Sequence, residues 1–382
     1  MSWPVVKLGN VVESIMGQAP PGVECNKTGE GTIFVKAGEF GKEFPVIKEW
    51  TTKPLRYAKK GDTLLCVVGA TCGKVNKAID CAIGRSVAAI RPIKDKIDEN
   101  YLFYFVSSWS SKLRNMSQGA AQTVINKDMI ANLEIPLPPL DEQKRIAAIL
   151  DKADAIRRKR QQAIQLADDF LRSVFLDMFG DPVTNPKGWE LRSLASLCRK
   201  ITDGTHHSPP IVEKGFPYVT AKHLKKTGLE FHAKPWYVSE EEHKKIFSRC
   251  NPEKNDVLYI KDGATTGLAA INEYDFEFSM LSSLALLKPN FELVNSEFLC
   301  MFLNHPRTKL VLTANMAGAA ITRLTLAKIK DVKVPLPDIN TQEKFKEVYI
   351  SVRAILNKVK ASDGLSEQEF NSLSQKAFAG EL

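Results

Sequence analysis

The sequence has no Cys-x-x-Cys pair, and its seven cysteines (Cys25, Cys66, Cys72, Cys81, Cys198, Cys250 and Cys300) are odd in number and scattered. That pattern argues against a disulfide framework and a zinc module and points to a reduced, cytoplasmic protein. A metal reading of His206-His207 finds no Cys or carboxylate partner at ligand spacing, so no metal is expected. No apolar run approaches the ~20 residues needed to cross a bilayer. Met1-Ser2-Trp3-Pro4 carries no basic stretch followed by an apolar one, so no secretory leader is expected. The Gly-Lys-Ser/Thr ending of a phosphate-binding P-loop is missing. So are a Phe-x-Gly-x-Gly cofactor loop and an Asn/Asp-Pro-Pro-aromatic motif, since Asn185-Pro186-Lys187 breaks after its first proline. An enzyme with its own methyltransferase chemistry is therefore disfavoured.

What the sequence does have is a long helical stretch, present twice. From Asp141 to Phe179, apolar or small residues recur at Ile146, Ile149, Ala153, Ile156, Ala163, Ala167, Phe170 and Val174. Steps of 3 and 4, broken only at Arg160, make the seam of a helix lying along a partner helix. At ~1.5 Å per residue the stretch is on the order of 57 Å long. Asp141 is the expected N-cap, and Gly180 with Pro182 the stop. The second copy runs from Asn340 to Phe378 in register with the first: Gln143 meets Gln342, Ala155 meets Ala354, Ile156 meets Ile355, and Phe179 meets Phe378. Phe345, Val348, Val352, Ile355 and Val359 continue the seam. Asn340 and Glu343 form an expected capping box, and Asp363-Gly364 weakens the second helix near its middle. Two matching long helices in one chain are expected to pack on each other.

The duplication extends beyond the helices. Trp3, Val5 and Leu8 match Trp189, Leu191 and Leu194. Strand-like Thr32–Ala37 matches Phe216–Ala221. An Asp-led apolar strand ends in Gly69-Ala70-Thr71-Cys72-Gly73 in the first half and in Gly263-Ala264-Thr265-Thr266-Gly267 in the second. Strands Ser86–Arg91 and Ser283–Lys288, short helices near Tyr101–Val106 and Glu297–Asn304, and Gly119-Ala120-Ala121 with Gly318-Ala319-Ala320 complete each copy. The expected architecture is α+β: two repeated globular units separated and held by two long antiparallel coiled-coil helices in a pseudo-two-fold repeat. The expected segments are 1–139, 140–182, 183–337 and 338–382, which leaves no spare length for a catalytic domain between the repeats. The loops Gly17-Gln18-Ala19-Pro20-Pro21-Gly22 and Asp203-Gly204-Thr205-His206-His207-Ser208 differ, and a shared scaffold with different loops is a pattern of recognition.

A net charge of +9 and a pI near 9.0 suit a polyanionic partner. In full, the order of these marks resembles the DNA-specificity subunit of Type I restriction-modification systems. The marks are the openings of the two halves near Trp3 and Trp189, the paired Gly-Ala-Thr-x-Gly turns, the Ile-Pro-Leu-Pro and Val-Pro-Leu-Pro exits, and a helix starting Leu140-Asp141-Glu142-Gln143. The second helix departs from the pattern, because Asn340-Thr341-Gln342 keeps only the Gln. The resemblance implies a non-catalytic subunit with two target-recognition domains, each reading one half of an asymmetric bipartite site in double-stranded DNA. It implies two methyltransferase subunits as partners, with restriction subunits joining them. S-adenosylmethionine, ATP and Mg are expected in those partners and no cofactor in this chain.

Phosphates call for Lys and Arg; base edges call for Arg, Lys, Asn, Gln, Ser or Thr. The DNA-binding candidates are therefore Lys36, Thr71, Lys74, Arg85, Gln122 and Thr123 in the first half. In the second they are Thr205, His206, His207, Lys222, His223, Lys225, Lys261, Thr322 and Arg323. Each surface Lys also reads as merely solvated, and Arg85 and Arg323 as turn residues. The Gly-Ala-Thr-x-Gly turns read as a tight turn ahead of a phosphate cradle. Arg157-Arg158-Lys159-Arg160 reads either as a grip on the DNA backbone or as a solvated or partner-facing run. Helix–helix and partner contacts are expected at Ile146, Ile149, Ile156, Phe170, Val174, Phe345, Val348, Val352 and Ile355. Phe170, Leu171, Val174, Phe175 and Met178 are expected to be exposed. The competing class is a coiled-coil adaptor that does not bind DNA in a sequence-specific way.

Overall fold

The computed structural model describes residues 3–116, 124–314, 324–361 and 367–382. It forms two compact units, Met1–Gln161 with Ala361–Leu382, and Gln162–Lys360. Each unit thus keeps the portion of the long helices that packs on it, so the division runs through the helices rather than at their ends.

The units repeat one topology. In the first, an antiparallel sheet runs Val12–Met16, Val87–Pro92, Thr63–Cys66, Val75–Lys77. In the second the same order is Cys198–Asp203, Leu284–Pro289, Val257–Ile260, Ala269–Ile271. Each unit also closes on a two-stranded ladder, Val5–Lys7 with Glu134–Pro136 and Glu190–Ser193 with Lys333–Leu336. Each has one parallel pair in a second sheet of shorter strands, five in the first unit and three in the second: Thr32–Val35 beside Cys81–Ile83, and Phe216–Val219 beside Ser279–Met280.

The central strands are buried on both faces, which is why Thr63–Cys66 and Val257–Ile260 read as apolar runs and not as an alternation. Leu65, Ala88 and Ile90 face a helix, Glu99–Met116, while Leu64, Val87 and Ala89 face the second sheet. In the second unit Val257, Tyr259, Ala285 and Leu287 face the helix Ser296–Asn304, and Leu258, Leu284 and Leu286 face the other way. The first helix is longer than its twin for a local reason. Pro306 lacks an N–H and drives His305 to extended backbone (φ −66°, ψ 131°), so the second copy breaks there and restarts as Pro306–Thr313.

The long helix Leu140–Phe179 is continuous over 40 residues. It starts before Asp141, which sits exposed in the first turn and is not the cap. Gly180 (φ +79°) ends it in the left-handed region, as expected of a C-terminal glycine. The second copy is Ile339–Ala361 followed by Glu367–Ala379, and Asp363-Gly364 lies outside the described residues. Its start is capped by Asp338, whose carboxylate accepts from the Thr341 backbone N–H (3.0 Å) and hydroxyl (2.7 Å). Asp338 therefore replaces the capping box expected from Asn340 and Glu343.

Within each unit the helix segments run antiparallel. In the second, Phe175 and Phe179 meet Phe345 at 5.7 and 5.4 Å between ring centroids. In the first, the Arg157 guanidinium lies 5.3 Å from the Phe370 ring and Arg145 donates to the Leu382 carbonyl. The buried face differs from the expected seam. Ile146 and Phe345 are fully buried, and Ile149, Val174, Val348 and Val352 half-buried. Ile156, Phe170 and Ile355, by contrast, are 41, 51 and 61% exposed. Leu171 and Phe175, expected outside, are buried instead. A stripe of period 3.5 drifts ~20° per heptad on a straight helix, so over its length the packed face moves to the next residue.

The paired glutamines hold the helix starts. Gln143 donates to the carbonyls of Pro138 (2.8 Å) and Lys96 (3.3 Å) and accepts from the Asp98 N–H (2.8 Å). Gln342 repeats all three contacts with Pro337 (2.9 Å), Leu293 (2.9 Å) and Asn295 (3.0 Å). Both side chains are buried, whereas Glu142 is spent on an ion pair with Arg145 at the surface. This is why the Gln alone persists in the second copy. Among the described residues no helix is long and apolar enough to cross a membrane.

Candidate nucleic-acid interface

In both units the ends of several strands are stitched together at one end of the main sheet. In the first, Val67 N–H bonds Ser86 O (2.9 Å), Gly17 N–H bonds Val87 O (2.9 Å), Gln18 N–H bonds Ile83 O (3.0 Å) and Gly84 N–H bonds Val35 O (2.9 Å). The second repeats the device with Lys261 N–H to Ser283 O (2.9 Å), Thr205 N–H to Met280 O (2.8 Å) and Leu281 N–H to Val219 O (3.1 Å). Gln18 and Thr205 thus hold equivalent places despite their dissimilar loops. Gly17 and Gly204 precede them where a Cβ would stand 2.2 Å from Gly84 O and 2.0 Å from Met280 O. Only glycine fits such an approach, and its recurrence just after the first sheet strand is the signal by which the two loops align.

The Gly-Ala-Thr-x-Gly segments are tight turns. Gly69, Gly73, Gly263 and Gly267 all have φ between +84° and +98°. The amides of Cys72, Gly73, Thr266 and Gly267 bond carbonyls of the turn or its own strand, so they are already spent rather than open to a phosphate. Thr71 is half-buried, with its hydroxyl 3.1 Å from the Cys66 sulfur. Lys74 is exposed just after the turn, and Arg85 is exposed in the turn between Cys81–Ile83 and Val87–Pro92.

A 3-10 turn follows each parallel strand, Ala37–Glu39 and Ala221–His223. Glu39 accepts the Lys36 N–H (2.7 Å), and the His223 Nδ1 accepts the Thr220 N–H (2.9 Å). His223 is the counterpart of Glu39, and with its Nε2 bonded to Lys234 O (3.0 Å) it is a neutral, buried cap, not a surface reader. The Lys36 ammonium is paired with Glu49. Lys222 is exposed, with its ammonium 4.5 Å from the Trp236 ring. Lys225 is exposed on the short hairpin Leu224–Lys225 with Gly228–Leu229.

Asp203 is the centre of the second unit's loop. Its buried carboxylate meets Arg249 (2.6 Å), His206 (3.4 Å) and Lys261 (3.5 Å). Lys261 is thereby an interior cation, 3% exposed and also 3.4 Å from Asp262, where a surface lysine was expected. His207 is exposed and bridges the Thr205 hydroxyl (2.6 Å) and Glu242 (2.7 Å). Arg249, Glu242 and Trp236 escape a reading of the sequence because they lie far along the chain from the loops they join. Gln122, Thr123, Thr322 and Arg323 lie outside the described residues, though Val124 bridges Val68 and Leu324 N–H bonds Lys261 O (2.8 Å) at this same end. Arg157 and Arg158 are committed within their own unit: Arg157 pairs with Asp154 (2.6 Å), and Arg158 with Asp154 (3.2 Å) and Glu43.

Burial holds the His223 imidazole below its ordinary pKa of 6.5, and that of His305 likewise. An unfolded chain binds those protons first, so stability is intact above pH ~6.5 and falls as pH drops through it. Urea midpoints should therefore be lower at pH 5.5 than at pH 7.5, and His223→Gln should reduce that difference.

A family model described as the Type I restriction modification DNA specificity domain matches residues 1–166 and again 186–358. The chain is 38% identical over 181 residues to the putative type I restriction enzyme MjaX specificity subunit of Methanocaldococcus jannaschii. That match covers 46% of this chain and spans 42% of the relative's length. Similarity to the type I restriction enzyme EcoBI specificity subunit of Escherichia coli is 21% over 360 residues, covering 81% of this chain and 72% of that protein. The fold is shared with the crystal structure of a Type-I restriction-modification system S subunit from M. genitalium (TM-score 0.62, 17% identity, covering 99% of this chain and 94% of that one).

Proposed function

This chain belongs to the Type I restriction-modification DNA specificity family, and on that premise we propose that it is the subunit that selects the DNA target. Each unit reads one half of an asymmetric, interrupted site. The observation that carries this reading is one scaffold built twice with different loops at the same end: Gln18 and Ala19 follow Gly17 in one unit, and Thr205, His206 and His207 follow Gly204 in the other. Different side chains at equivalent places read different bases. Exposed Lys74, Arg85, Lys222 and Lys225 serve as phosphate contacts that fix register. His206, His207 and Thr205 form the reading loop of the second unit.

The chain works in the cytoplasm with two methyltransferase subunits, which bind S-adenosylmethionine and methylate a flipped adenine in each half-site. Restriction subunits that use ATP and Mg complete the assembly. Catalysis belongs to those partners. The apolar residues left exposed on the helix segments, Ile156 in the first unit and Leu166, Phe170, Ile350 and Ile355 in the second, are contacts for the methyltransferase subunits.

Co-expression with the cognate methyltransferase subunit, followed by long-read mapping of modified adenines, tests this. The expected result is a single bipartite motif with two different halves and a fixed gap. No modified motif from a complex that binds S-adenosylmethionine would reject the reading in favour of a coiled-coil adaptor.

A further inference from the structure

The arginine run on the long helix does a different job from gripping DNA. Arg158 pairs with Glu43, which lies in the loop between Thr32–Val35 and Trp50–Thr51 of the second sheet. That loop is held from the sheet side as well: Asn76, 1% exposed, bonds Gly41 N–H (3.0 Å) and O (3.2 Å), and the Lys77 N–H bonds Glu43 O (2.8 Å). The Lys77 ammonium bridges Glu43 and Asp151 at 3.3 Å each, and buried Tyr104 donates to the same Asp151 (2.7 Å). Charges of alternating sign thus tie the recognition sheet to the long helix, in a network rather than an isolated surface pair. In the second unit the corresponding tie among the described residues is the ion pair of Arg353 with Glu273 at 3.5 Å.

We infer that Glu43–Arg158 and Lys77–Asp151 form a latch that fixes the angle of the first recognition unit on its helix, and so makes the complex reject DNA targets whose gap is wrong. This rests on the reading above that the chain selects a bipartite site. Helix length sets where a unit can reach; the latch sets how far it can swing from there. A base-pair step is only ~3.4 Å, so rocking a unit with a radius of roughly 20 Å by about ten degrees on its helix moves its reading face by about one step.

The test uses Glu43→Arg, Arg158→Glu and the charge-swapped double variant, each co-expressed with the methyltransferase subunit. Each single variant should methylate sites with a gap one base pair longer or shorter, at a tenth or more of the level at the parental gap. The double variant should bring the wrong-gap sites below the level of either single, though not to the parental level, because the swap sets Glu43→Arg beside Lys77 and Arg158→Glu beside Asp154. Hydrogen exchange on the full chain gives a readout without DNA: amides of residues 40–46 should exchange at least tenfold faster in the singles and recover in part in the double. Singles with an unchanged gap and unchanged exchange would overturn the latch, as would singles that lose methylation altogether without recovery in the double. Glu43→Gln and Arg158→Gln repeat the test should charge reversal prevent folding. A parental chain that gives no bipartite motif would instead reject the functional reading, while the exchange result still decides whether the latch exists.

Discussion

Gly204→Ala should abolish modification directed by the second unit and lower its stability by about 3 kcal/mol, the upper part of the range for overpacked sites. The added Cβ would lie 2.0 Å from Met280 O, 2.4 Å from Met280 C and 2.7 Å from Leu281 C. All three are backbone atoms, so no side chain can turn aside. Relief requires parting the loop from the Met280–Ser282 segment, which breaks the bonds from Thr205 N–H to Met280 O and from Ser282 N–H to Thr205 O, both 2.8 Å. Those bonds place Thr205, His206 and His207. A melting temperature lower by roughly 6–12 °C and loss of the motif should occur together. Gly17→Ala should do the same to the first unit. Gly38→Ala is the control, because its Cβ would meet nothing within 4 Å; it should leave melting and motif unchanged.

Gln342→Leu should be as damaging without any clash. Leucine is close in size, but the change leaves the Asn295 N–H and the carbonyls of Leu293 and Pro337 with the Gln342 contacts gone. The side chain is fully buried, so water does not readily replace it. At about 1–3 kcal/mol for each of the three stranded groups, the loss is on the order of 3–9 kcal/mol. Denaturant midpoints of the full chain measure it. Glu142→Ala, beside the equivalent Gln143, should leave the midpoint unchanged, since that carboxylate makes only a surface pair with Arg145. An equal effect at both positions would show that helix-start charge, and not the buried amide, holds the helix to its unit.

The duplicated elements are legible in the sequence because their signals are local. The two helices, the ladder strands after Trp3 and Trp189, and the glycines of the paired turns each follow from period or from a required φ. The site is less legible because its side chains are defined by partners distant in sequence. Nothing near Lys261 announces that Asp203 will bury it, and His223 looks like a reader until its alignment with Glu39 reveals a cap. Arg158 belongs to a basic run in one dimension and to Glu43 in three. The seam falls one residue away from its expected place because heptad arithmetic ignores the drift of a straight helix. Asp338 is hard to see as a cap because the neighbouring Asn340 and Glu343 match a familiar pattern.

The sharing of the helices has a consequence for biosynthesis. Tyr101 and Phe105 in the first unit pack against Phe378, at centroid distances of 5.2 and 5.5 Å, and Phe370 joins the same core. Those rings are translated only after all of Gln162–Lys360. At ~5–20 residues per second, the unit made first waits on the order of ten seconds or more with part of its core uncovered. The second unit has its helix segments as soon as its own stretch is complete. Translation order and folding order are therefore inverted: the half that leaves the ribosome first is the last to close, and in that interval its uncovered apolar surface is open to aggregation.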